Sequence, residues 1–184
     1  MSGDSSVSWT CSEDDCRGIR LRAGDRCLAH ADSQDRDTEL KRFAEEGTID
    51  ARRVTISAEL LGRILGAAPL DEDRPNRPRL SKVNFDGATF SDQASFDHVT
   101  FGDRASFNGA TFSDEASFAH ATFGDWASFD GATFSDRASF AHATFGDNIA
   151  FAVVTFKDYA SFAHATFGDN TSFASARFNV MLVI

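Results

Sequence analysis

The sequence predicts an all-β solenoid of about four coils of 22 residues each, preceded by a small amino-terminal cap. Three observations predict it. Phenylalanine supplies 19 residues against 2 Trp and 1 Tyr, a bias that marks an internal repeat. Phe recurs at 85, 90, 96, 101, 107 and so on to 178, stepping alternately by six and five after the first interval. All three cysteines fall before residue 28, so the start of the chain follows a different plan.

Each half of the eleven-residue cycle reads small, polar, large. Ala110-Thr-Phe112 and Ala116-Ser-Phe118 are examples, with the small residue and the Phe on one side. That is the side-chain alternation of a short strand, and an α-helix would not keep an apolar stripe at this spacing. Two columns reveal a period of twice eleven. The residue after the first Phe alternates through Ser91, Gly102, Ser113, Gly124, Ser135 and Gly146. Histidine enters only every second unit, at His98, His120, His142 and His164. One coil is then four short strands, and successive coils stack at about 4.8 Å, ring on ring and Ala on Ala.

Ala116-Ser-Phe-Ala-His120 and Ala138-Ser-Phe-Ala-His142 resemble the pentapeptide-repeat family, and the six-residue halves depart from it by one residue. The resemblance covers residues 81–184. It implies a right-handed quadrilateral β-helix, and a bulge or a wider corner would each absorb the extra residue. Some members of the family are understood to resemble DNA and to bind type II topoisomerases.

Outward positions carry Asp92, Asp103, Asp114, Asp125, Asp136, Asp147, Asp158 and Asp169, which a 22-residue coil sorts into two columns on opposite sides. Stacked carboxylates repel by about 1 kcal/mol per pair even in water, so each is expected to accept a turn amide, to project an acidic field, or to do both. The following position varies, and Arg104, Trp126 and Tyr159 are its candidate contact residues. The His column reads as a solvated ladder, and any Ser-His-Asp triad drawn on the array as an accident of repetition. Val180-Met-Leu-Val-Ile184 would cap the last coil, pair two copies as a homodimer through the C-terminal end, or lead into further chain.

In the cap, Cys11, Cys16, Cys27 and His30 have the donor types and tight grouping of a tetrahedral zinc site. With four protein ligands the zinc would be structural, holding together residues 1–34, which are too few to build a core. Residues 35–80 form a helical cap and linker. A helix is expected over Asp37–Gly47 and a second from an N-cap at Ser57 to Gly66, its apolar face made by Leu60, Leu61, Ile64 and Leu65. Both are expected to cover the open first coil near Val83, with Asp71–Arg79 as a charged linker.

The net charge of −10 argues against direct nucleic-acid binding through phosphate neutralisation. The head arginines Arg17, Arg20, Arg22 and Arg26 sit among acidic residues and read as solvated surface. Residues 81–184 hold 12 acidic and 5 basic groups against 16 and 13 in residues 1–80. No apolar run is long enough for a bilayer, and MSGDSSVSW lacks the features of a secretory signal, so a cytoplasmic protein is expected. The expected function is a non-catalytic interaction scaffold whose partner is a protein. The alternatives are a DNA-mimicking modulator of DNA gyrase or another DNA-binding protein, and an enzyme or metal sensor working at the zinc head.

Overall fold

The computed structural model describes residues 10–22, 24–179 and 182–183. Its carboxy-terminal part is a β-solenoid of parallel ladders in which every rung lies 22 residues from the next. A coil has four faces. Taking one coil as example, the first face is Thr89–Phe90, the second Ala94–Ser95, the third Thr100–Phe101 and the fourth the single bridge residue Ser106. The residues that make these rungs come from the small-polar-large triplets: Phe pairs with Phe on the first and third faces, and Ala with Ala and Ser with Ser on the second.

The rings fill the rod. On the first face Phe90, Phe112, Phe134, Phe156 and Phe178 stack with centroids 4.7, 4.6, 4.9 and 5.1 Å apart. Between faces they meet edge-on, as Phe112 and Phe118 do at 5.7 Å and 80°. Most rings therefore have stacked partners along the rod and edge-to-face partners around it, and the aromatic quadrupole favours such arrangements. The extra residue of the six-residue halves sits in the corners 91–93 and 102–104, outside the strands, so it widens a corner and makes no bulge.

The solenoid has about five turns where the Phe pattern predicts four, because the cap contributes one. Strand β1 (Thr48–Asp50) pairs with Lys82–Asn84, and β2 (Thr55–Ile56) pairs with Thr89–Phe90. Arg79–Leu80 pairs with Thr100–Phe101. These segments supply the fourth, first and third faces of an initial coil. Helix α2 (Ala58–Ala67) stands in the place of its second face and packs on Ala94–Ser95. The sequence reading placed helices directly on the coil at Val83. Helix α2 does cover the coil, while β1 pairs at Val83 itself and α1 (Ser33–Glu46) packs on α2 and β1.

Helix α1 begins four residues before the expected Asp37, because the Asp32 carboxylate accepts from the Asp35 amide at 2.9 Å as N-cap. It ends at Gly47, whose φ of 63° is the left-handed conformation a glycine C-cap supplies. In α2, Ser57 is the N-cap, and Leu60, Leu61 and Ile64 are buried while Leu65 is only partly so. Pro69 follows its end. Leu21, Cys27 and Leu28 of the head join the same continuous core as Ile49, Val54, Ile56 and the Phe columns. No helix among the described residues is long and apolar enough to cross a membrane.

Candidate metal centre and interaction surface

Cys11, Cys16, Cys27 and His30 converge in the head, their ligand atoms all within 4.8 Å of one another. Two antiparallel bridges, Thr10 to Ile19 and Arg20 to Cys27, fold the segment back on itself. Sγ of Cys16 and Cys27 lie 3.7 Å apart, and His30 Nδ1 lies 3.4 Å from Cys11 Sγ and 3.6 Å from Cys27 Sγ. No cysteine is in a disulfide. The Gly18 amide donates to Cys16 Sγ and the Cys27 amide to Cys11 Sγ, contacts that favour thiolate. Gly18 has to be glycine, since a Cβ there would come within 2.9 Å of Cys27 Cβ and Sγ.

The thiols are poised differently. Burial pushes the Cys11 thiol up, but amides of Glu13 and Cys27 and the side chains of His30 and Cys16 outweigh it and bring the pKa to about 7. Burial dominates at Cys27 and, with Cys16 beside it, raises that thiol to about 12. The set is one that could hold a metal ion, and a cation among the sulfurs would draw all three to thiolate.

Arg36, which sequence reasoning passed over, holds the His30 turn. Its guanidinium donates to the carbonyls of Leu28, Ala29 and Ala31 at 2.9, 2.8 and 2.8 Å. Only its fixed distance from His30 on the first turn of α1 could have signalled this. Ile19 donates to Arg52 O at 3.1 Å, tying the head to the first coil. Of the four head arginines, Arg26 pairs with Glu13 at 2.9 Å on the surface.

On the rod the eight predicted aspartates do separate into two columns, at the corner between first and second faces and at the diagonally opposite corner between third and fourth. In the second of these, Asp103 Oδ1 accepts from the Asp125 amide at 3.1 Å, Asp125 from Asp147 at 2.9 Å and Asp147 from Asp169 at 2.8 Å. These inter-coil bonds explain the alternating glycine: a Cβ on Gly124, Gly146 or Gly168 would overlap the Asp carboxylate of the coil before. In the first column Asp92 accepts from the Ala58 amide at 3.1 Å at the start of α2, and Asp114 and Asp136 accept from their following amides at 2.7 and 2.8 Å. No bond from the Asp158 carboxylate stands among these.

Two further corner groups went unnoticed in the sequence. Asp86, Asn108 and Asp130 accept from the amides of Asn108, Asp130 and Ala152, 22 residues on, at 3.1, 3.1 and 2.7 Å. Asp97 does the same for Ala119 at 3.0 Å. Their signal was the pair Ser106–Asp86, 20 apart, repeated as Ser117–Asp97 and Ser128–Asn108.

The variable positions also divide. Arg104, Trp126, Asn148 and Asn170 form one column, each with φ between 58° and 63°. Trp126 is 57% exposed. Gln93, Glu115, Arg137 and Tyr159 form the other, linked in a chain: Gln93 Nε2 donates to Glu115 at 3.1 Å, Arg137 lies 3.6 Å from Glu115, and its guanidinium sits 5.5 Å from the Tyr159 ring centre. Arg104 and Trp126 thus share a corner, and Tyr159 stands on the opposite one.

Neither a curated protein nor a solved structure shows significant similarity to the chain. A family model described as pentapeptide repeats (9 copies) matches residues 76–122 and 118–166, the very stretch in which the 22-residue ladders run. Through these repeats the chain belongs to the pentapeptide-repeat family.

Proposed function

We propose that this protein is a non-catalytic interaction scaffold: a rigid rod presenting fixed side-chain columns to another protein, with a zinc ion holding its head. The observation that carries the reading is Trp126, a large ring held more than half exposed at a stiff corner of the rod, between aspartates of successive coils. Aromatic residues so placed are favoured anchors of protein interfaces. The amides of Gly124, Asp125, Trp126 and Ser128 are all bonded to neighbouring coils, so presenting the ring needs little further ordering.

The donor distances support zinc. Bond lengths of about 2.3 Å to sulfur and 2.0–2.1 Å to nitrogen make tetrahedron edges of about 3.8 Å between sulfurs and about 3.6 Å from sulfur to nitrogen. The separations of 3.7, 3.4 and 3.6 Å agree with those edges. Cys11, Cys16, Cys27 and His30 would fill all four positions, which favours a structural role over an enzyme or sensor at the head.

Charge favours a general scaffold over DNA mimicry. With 12 acidic and 5 basic groups over residues 81–184, the rod carries a line charge about half that of duplex DNA, taking one phosphate per ~1.7 Å of axis and ~4.8 Å per coil. The test is affinity capture from cell extract with the native chain, W126A and the D103N/D125N/D147N triple variant, quantified side by side. The reading expects a discrete partner whose recovery falls in W126A. Equal recovery with all three baits would remove this corner from consideration and the proposal with it.

A further inference from the structure

Besides the cysteine cluster, the fold assembles a second set of metal-ligating side chains. His98, His120, His142 and His164 stand one above another at the corner between the second and third faces, all exposed. Their ring centres are 4.9, 4.7 and 4.8 Å apart. The first two pairs are nearly parallel, at 5° and 3°, and the last is tilted by 21°. We propose that this ladder chelates a transition-metal dication of the nickel, copper or zinc class between successive rings, with His142 and His164 as the preferred pair.

The scaffold fixes where the rings start. The amides of His98, His120 and His142 donate to Ala119, Ala141 and Ala163 carbonyls at 3.0, 2.9 and 2.8 Å, which holds the backbone at these three positions. Two imidazoles sharing one ion, with metal–nitrogen bonds of about 2.0 Å, need their nitrogens about 3–4 Å apart. A rotation of exposed side chains covers the difference from the ring spacing. The backbone does not demand histidine: other corners of the same left-handed conformation hold Arg104, Trp126, Asn148, Gly109, Val153 and Ser175. Among the described residues none of the four rings makes a hydrogen bond or ion pair. Beside them the corner holds one carboxylate, Asp97, and then Ala119, Ala141 and Ala163. Imidazole nitrogens left free in this way suit the later first-row dications.

The lower half of the ladder is less favourable for a cation. Arg77 Nη1 donates to the His120 carbonyl at 3.0 Å and Arg74 Nη1 to Thr122 Oγ1 at 2.7 Å, placing two guanidiniums along that side. His142 and His164 lie beyond them, and their tilt already breaks the parallel stack.

The experiment titrates Ni²⁺ into the zinc-loaded full chain by calorimetry, following zinc release with a colorimetric indicator. One Ni²⁺ should bind without releasing zinc. H142Q and H164Q should each weaken it about 100-fold, the loss expected when a two-point attachment becomes one-point, and H98Q should leave it in place. Thermal melts matching the native chain confirm that each variant keeps the rod. Loss in H98Q equal to that in H142Q, native binding no tighter than in H142Q or H164Q, or stoichiometric zinc release would each overturn the proposal.

Discussion

Replacing Phe134 by alanine should break the rod in its middle. Phe134 is fully buried, stacked 4.6 Å from Phe112 at 1° and 4.9 Å from Phe156, with Phe140 edge-on at 5.7 Å. Truncating a buried Phe costs about 3–5 kcal/mol through lost transfer energy and the cavity left behind. Each aromatic pair adds about 0.5–1.5 kcal/mol beyond area, so two lost stacks place F134A near the top of that range. Phe167 is the control: it is 37% exposed and has one stacked partner among the described residues, Phe145 at 4.8 Å, with Phe173 edge-on at 6.0 Å, so F167A should cost about 1–2 kcal/mol. A domain of this size holds about 5–15 kcal/mol in total, so F134A removes a large share. Because coils touch only their neighbours, urea unfolding followed by circular dichroism should separate into two phases in F134A. A loss in F134A no larger than in F167A would refute the stacked-core reasoning.

Glycine variants separate close approach from flexibility. Gly124→Ala would set a Cβ 2.8 Å from the Asp103 amide nitrogen and against its carboxylate, so a loss of about 1–3 kcal/mol is expected in thermal melts. Gly62→Ala in α2 meets nothing within 4 Å and should stabilise by about 0.5–1 kcal/mol. The reverse ranking would contradict the packing described for the Asp103 corner. Stripping zinc with a chelator should raise amide hydrogen exchange across residues 11–31 while the coils beyond Phe107 keep their protection, since their bonds run to neighbouring coils. Gyrase supercoiling should be unaffected by micromolar protein. Inhibition abolished by D103N/D125N/D147N would instead establish acidic mimicry.

The repeat was legible because Phe at every rung leaves a period that nothing else in the chain obscures. The initial coil was not, although Val54-Thr-Ile56 and Pro78-Arg-Leu80 stand where Ala88-Thr-Phe90 and Val99-Thr-Phe101 stand one coil later. They carry the same polar-large rung with an aliphatic residue in place of Phe, and α2 with its following loop stretches one step of the ladder to 34 residues. Hydrophobic pattern alone cannot bridge such an insertion. The cluster of Cys11, Cys16, Cys27 and His30 was readable from donor type, since few other chemistries gather three thiols and an imidazole in twenty residues. Arg36 was not readable, because a surface-type residue that satisfies three carbonyls looks in sequence like any solvated arginine. The aspartate columns were found by period, but their work is local: the carboxylates mostly serve backbone amides, which is why repulsion along the stack is tolerated.

A zinc ion at the head is what we propose holds the amino-terminal end of the solenoid, and its presence can be measured directly. Protein purified without added metal should contain one zinc per chain by elemental analysis. X-ray absorption should show three sulfur neighbours and one nitrogen, and C27S should lose the ion. Metal-free protein with an intact head, or full zinc retention in C27S, would contradict it.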